Sequence, residues 1–144
     1  MTVGRLEVVS TQAYCSFMPY EFSFTRRFTV NDAEIYINQC CWGGDVVRDR
    51  LLPTVTANFE DIQTAQEDWG WFIWFRRGPI RLGIDIFCDD PKNGEFRIHL
   101  TSRRRKFLFL ESYVDTPELE KVRELVSSEI HSWTGSVRVE RIDL

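Results

Sequence analysis

The segment from Asp68 to Thr101, DWGWFIWFRRGPIRLGIDIFCDDPKNGEFRIHLT, constrains the fold more than any other part of the chain. Three runs of β-branched and aromatic residues alternate with polar ones, interrupted by Arg77-Gly78-Pro79 and by Pro91-Lys92-Asn93-Gly94. Turn residues between strand-forming runs predict a three-stranded antiparallel meander. Its register follows from requiring one face to be apolar throughout. Phe75 opposite Ile80 brings Ile73 to Leu82 and Trp71 to Ile84. Cys88 opposite Phe96 brings Ile86 to Ile98 and Ile84 to Leu100. The other face then carries Asp68, Gly70, Phe72 and Trp74, next Arg81, Gly83, Asp85 and Phe87, and last Arg97, His99 and Thr101.

The rest of the chain supplies partners for this meander. Arg5–Ser10 and Glu21–Val30 read as strands, and Asp32–Cys41 alternates in a way that favours a strand over a short helix opening at Asn31. After Trp42-Gly43-Gly44, Asp45 is placed to cap a helix through Leu52 that Pro53 ends or kinks. A short strand around Phe59–Thr64 leads into the meander. Arg103–Lys106 reads as a solvated turn, followed by Phe107–Leu110 as a strand buried on both faces. Thr116 and Pro117 open a second helix with an apolar stripe of Leu119, Val122, Val126, Ile130 and Trp133. Gly135 suits a left-handed stop, and Ser136–Ile142 alternates as a last strand. No linker, repeat or low-complexity segment divides residues 1–144, so the expectation is a single domain. The predicted class is α+β, a two-layer sandwich with a mainly antiparallel sheet and two helices packed on one face.

Composition narrows the function classes. Of 144 residues, 43% are hydrophobic and 14% aromatic, enough for a sizeable core and for adhesive surface besides. The formal net charge of −4 argues against bulk nucleic-acid binding. The opening MTVGRLEVVS lacks the basic and apolar regions of a signal peptide, and no apolar run is long enough to cross a bilayer. The expectation is a soluble cytoplasmic protein without a membrane partner. Cys15, Cys40, Cys41 and Cys88 include no C-x-x-C pair, and His99 and His131 stand on different elements, so no metal-ligand spacing is visible. The glycine turn at Cys40–Asp45 meets neither nucleotide fingerprint. The chain therefore calls for no metal and no cofactor; reduced thiols, with Cys40 as the one candidate for reactivity, fit the same picture.

The sharpest chemical pair is Asp85 and His99, cross-strand neighbours on the open face. A carboxylate that orients an imidazole is the usual arrangement of a general base. Arg81 and Arg97 nearby could clamp a small anionic ligand. Against this stands ordinary cross-strand charge pairing, which contributes about 0.2–1 kcal/mol. Gly70 and Gly83 on the same face mark a close approach by another backbone or a ligand. Two functions follow. The first is a non-catalytic interaction module binding a protein partner, or a second copy of itself as a homodimer, through Phe72, Trp74, Arg81, Asp85, Phe87, Arg97 and His99. In acidity and aromatic content it resembles toxin-neutralising immunity proteins, a likeness of composition and not of motif. The alternative is a small-molecule binder or enzyme with Asp85 and His99 as its acid–base pair.

Overall fold

The protein is described by a computed structural model covering residues 17–29, 35–108 and 110–143. Among these residues the strands form a seven-stranded sheet. They are β1 (Tyr20–Thr25), β2 (Glu60–Glu67), β3 (Gly70–Arg77), β4 (Ile80–Asp90), β5 (Glu95–Phe107), β6 (Leu110–Tyr113) and β7 (Arg138–Arg141). The order is β2-β3-β4-β5-β1-β7, with β6 paired to the distal half of β5, and every pairing is antiparallel. Two helices, α1 (Gly44–Asn58) and α2 (Pro117–Thr134), complete the α+β sandwich.

The helices cover the face that the meander made apolar. Ile73, Ile84, Ile86, Ile98 and Leu100 are wholly buried there, joined by Phe22 from β1. Val47, Leu51 and Val55 come down from α1 at four-residue spacing, and Leu119, Val122, Val126 and Ile130 from α2. α2 forms as read: the Thr116 hydroxyl accepts from the Leu119 N–H at 3.0 Å, Pro117 stands in the first turn, and Gly135 ends the helix at φ 85°. Trp133 is half-buried, with Arg26 4.7 Å above its ring.

The second meander junction has the predicted register, with Cys88 against Phe96 and Ile84 against Leu100. The first is displaced by two residues: Arg77 pairs Ile80, so Phe75 meets Leu82 and Trp71 meets Ile86. The reason is the turn. Gly78, at φ 56°, and Pro79 form a two-residue loop whose φ signs are those of a type II′ turn, the kind that matches strand twist. A shift of two preserves every side chain's face, so the core assignment survives the wrong partner.

Other expectations are corrected by the fold. Residues 35–41 are bends and a 3-10 turn (Gln39–Cys41) rather than a strand, and Ile35 and Ile37 are more than half exposed. Gly43, at φ 75°, caps α1 in place of Asp45. Asp45 instead accepts from the Tyr36 hydroxyl at 2.7 Å, which with burial pushes that phenol up to about 12. Pro53 does not stop α1, which continues to Asn58; it lies on the solvent side, as does Asp49, whose carbonyl loses its helical donor. The strand before the meander runs the whole of Glu60–Glu67. Arg103–Lys106 is not a turn but the distal part of β5, and Phe107 and Leu110 are exposed rather than buried. This stretch pairs with β6, and among the described residues no layer covers it. The predicted strand Arg5–Ser10, Val30 and Cys15 lie outside the described residues.

Candidate functional site

The sheet face away from the helices gathers the singled-out residues in registered rows. Phe72, Asp85, His99 and Glu21 stand side by side on β3, β4, β5 and β1. Trp74, Gly83 and Thr101 form the next row, and Gly70, Phe87, Arg97 and Ser23 the row on the other side. The face is locked by stacking. Phe72 lies under Trp74, centroids 3.9 Å apart, and is only 6% exposed, whereas Trp74 is 39% exposed. Phe87 is held between Trp69 at 5.3 Å and the edge of the His99 ring at 5.0 Å, with the Arg97 guanidinium 4.8 Å above it.

Gly70 marks a close backbone approach, as the sequence suggests, whereas the space at Gly83 is filled by a side chain of this chain rather than by another backbone or a ligand. A Cβ on Gly70 would stand 2.1 Å from the Ile86 carbonyl oxygen, at φ 150°, so backbone approaches backbone there. Gly83 leaves room for the Trp74 indole, which lies 3.4 Å from where its Cβ would be. Trp74 Nε1 can then donate to Asp85 Oδ1 at 3.1 Å.

Asp85 and His99 face each other across β4 and β5, but their hydrogen bonds go elsewhere. Asp85 accepts from Trp74, and burial raises its pKa, partly offset by that hydrogen bond. His99 Nε2 lies 3.2 Å from the Arg97 guanidinium and 3.9 Å from Glu21 Oε2. An arginine only donates, so Nε2 is the acceptor and the ring is neutral. Burial, and then the Arg97 charge, lower the His99 pKa, with Asp89 opposing. Glu21 therefore balances Arg97, 3.7 Å away, rather than an imidazolium. Arg97 itself is gripped by both Asp89 oxygens at 3.0 Å.

This arrangement has a pH signature. A folded His99 that resists protonation favours folding above the ordinary value of 6.5, and that contribution is lost as pH falls through its lower folded pKa. Thermal melts between about pH 7 and pH 5 should therefore show a fall in Tm that His99→Gln reduces. NMR titration of wild type should place His99 below the ordinary value of 6.5, and Arg97→Gln should raise it; a His99 that titrates above 6.5 contradicts the arrangement.

Sequence reading missed the part of the face with the strongest charge. Arg76 pairs Arg81, and Arg81 pairs Arg103, so three arginines lie abreast on β3, β4 and β5. With Trp74, Gln63 and Asp61 they line a groove of about 490 Å³. Asp61 stands 3.6 Å from Arg76, and one Glu111 oxygen 3.7 Å from both Arg81 and Arg103, so among the described residues two carboxylates pair with three guanidiniums. Like charges directly opposite one another destabilise a sheet. The signal was available in the Gly78-Pro79 turn, whose two-residue loop sets Arg76 opposite Arg81. Arg81 and Arg97 do not form a clamp: Arg97 lies six residues along β5 from Arg81's partner, about 20 Å at strand rise.

Cys40 is free and exposed, whereas Cys41, Cys88 and Trp71 have structural places. Cys41 is buried and its thiol donates to the Glu67 carbonyl at 2.9 Å, burial raising its pKa; burial pushes Cys88 up to about 12. Trp71 lies over Gly44 and donates to the Cys41 carbonyl at 2.8 Å, which fastens the glycine turn to the sheet. Among the described residues no group of three His, Cys, Asp or Glu could hold a metal ion, and no helix is long and apolar enough to cross a membrane. In comparisons with known proteins, no family model matches the chain, and neither a curated protein nor a solved structure matches it significantly.

Proposed function

We propose that this chain is a non-catalytic protein-interaction module whose open sheet face receives an acidic patch on a protein partner. The observation that carries this reading is the exposed Trp74 set beside Arg76, Arg81 and Arg103. Tryptophan and arginine are the residues on which binding energy concentrates at interfaces. Among the described residues the arginine row is poorly balanced, and carboxylates from a partner would relieve it. The aromatic network below is pre-stacked, so little side-chain entropy remains to be lost on docking. A groove running along an open sheet, bordered by the exposed Asp61, Gln63 and Arg81, favours a macromolecular surface over an enclosed small ligand.

Affinity purification with the tagged chain, read by quantitative mass spectrometry, tests this against a Trp74→Ala/Arg81→Glu variant. Loss of a Trp and an Arg anchor should weaken capture of a specific partner by roughly 100-fold or more. Equal recovery by wild type and variant would rule out the face. Sedimentation velocity on the pure chain distinguishes a second copy as partner: a dimer abolished by the same variant assigns the face to self-association.

A further inference from the structure

We propose that the tip of the β5–β6 hairpin is a docking element for an anionic lipid surface. This inference does not rest on the reading of the sheet face, and it departs from the expectation of no membrane partner. Phe107 is 68% exposed, and Leu108 and Leu110 67% each, side by side at one end of the molecule. Phe107 pairs Leu110 to close the turn, and Leu108 holds φ 52°. A bulky residue is uncommon in that left-handed conformation, and a hairpin needing only a turn would take Asn or Gly there. Apolar bulk is thus kept at a position where it costs backbone strain and contributes nothing to the core.

Charge says what would cover it. Arg104, Arg105 and Lys106 are exposed immediately behind the tip, and among the described residues none has an ion-pair partner. They form a cationic collar in a chain of net charge −4. β4 accompanies β5 only as far as Arg104, and β6 pairs with β5 alone, so among the described residues the hairpin end has no flanking strand. From Arg104 to Phe107, the last residue of β5, the strand rises about 10 Å. Interfacial elements bury their apolar face about 5–10 Å into the headgroup and acyl boundary. With Phe107, Leu108 and Leu110 at that depth, the collar lies among the phosphates. A protein partner suits the tip less well, because a narrow hairpin end offers far less than the ~800 Å² per side of a specific interface. Leucines at its apex would be idle against a nucleic-acid backbone.

Co-sedimentation of the full chain with vesicles tests this. Vesicles of equal parts phosphatidylserine and phosphatidylcholine should bind the chain, pure phosphatidylcholine much less, and added salt should weaken the binding. Phe107→Ser/Leu108→Asn should lower partitioning by roughly 100-fold, the worth of two large apolar side chains. Asn suits the left-handed position, so this variant keeps the hairpin. Arg104→Ser/Arg105→Ser should lower partitioning by roughly 10-fold, and its intact tip guards against misreading a folding defect. Trp74→Ala should bind vesicles as wild type does. Wild type that ignores the phosphatidylserine vesicles overturns the proposal, as does binding indifferent to both tip variants. A solution dimer lost in the tip variants, without vesicle binding, would assign the tip to contact between copies and overturn it equally.

Discussion

Ile84→Asp and Ile98→Asp are each expected to abolish folding, whereas Asp85→Asn, one residue along the same strand, leaves a cooperative fold. Ile84 and Ile98 are wholly buried between the sheet and the helices. A carboxylate there has neither water nor a cation, and it must stay charged at that cost or take up a proton at another. The loss of about 4–5 kcal/mol or more rivals the whole stability of a domain this size. Asp85 sits on the opposite face, half-buried, and Asn keeps an oxygen for the Trp74 N–H. His99→Gln likewise removes a side chain from the open face, and a change of about 1 kcal/mol is expected for each. Circular dichroism melts of the four variants decide the point. Comparable damage from both sets would contradict the assignment of one face as core and the other as open.

Gly70→Ala is expected to be the most damaging of the small substitutions, and Gly78→Ala serves as its control. Both glycines have positive φ, 150° and 56°. At Gly78 nothing lies within 4 Å of an added Cβ, so the cost is the left-handed conformation alone, about 1–2 kcal/mol. At Gly70 the Cβ would meet the Ile86 carbonyl oxygen at 2.1 Å, and that oxygen belongs to a central strand with nowhere to retreat. Backbone strain and overpacking together should cost about 3 kcal/mol or more. Urea denaturation of both variants separates the effects: equal midpoints would show that β3 can move away from β4 at its first residue.

Several features were legible from residues alone because they depend on local chemistry or on a period. Alternation over Asp68–Thr101 decided which side chains face the helices, since a strand's faces repeat every second residue and only one phase buries Ile73, Ile84 and Ile98 together. Thr116, Pro117 and Gly135 marked α2 because capping needs only the backbone groups at the helix ends. Strand alternation and helix capping together were enough for an α+β sandwich.

Tertiary structure decided what depends on neighbours distant in sequence. Turn geometry at Gly78-Pro79 chose which residues pair, and so set Arg76, Arg81 and Arg103 abreast. The Asp85 carboxylate went to Trp74 because Gly83 left room for the indole, and His99 went to Arg97, so a pair legible as a general base became parts of two separate networks. Four apolar residues at 107–110 read the same whether a layer covers them or not. Only the pairing of β6 with the end of β5 shows that Phe107, Leu108 and Leu110 have none among the described residues, because burial is a property of what else arrives at that place and is not written in the run itself.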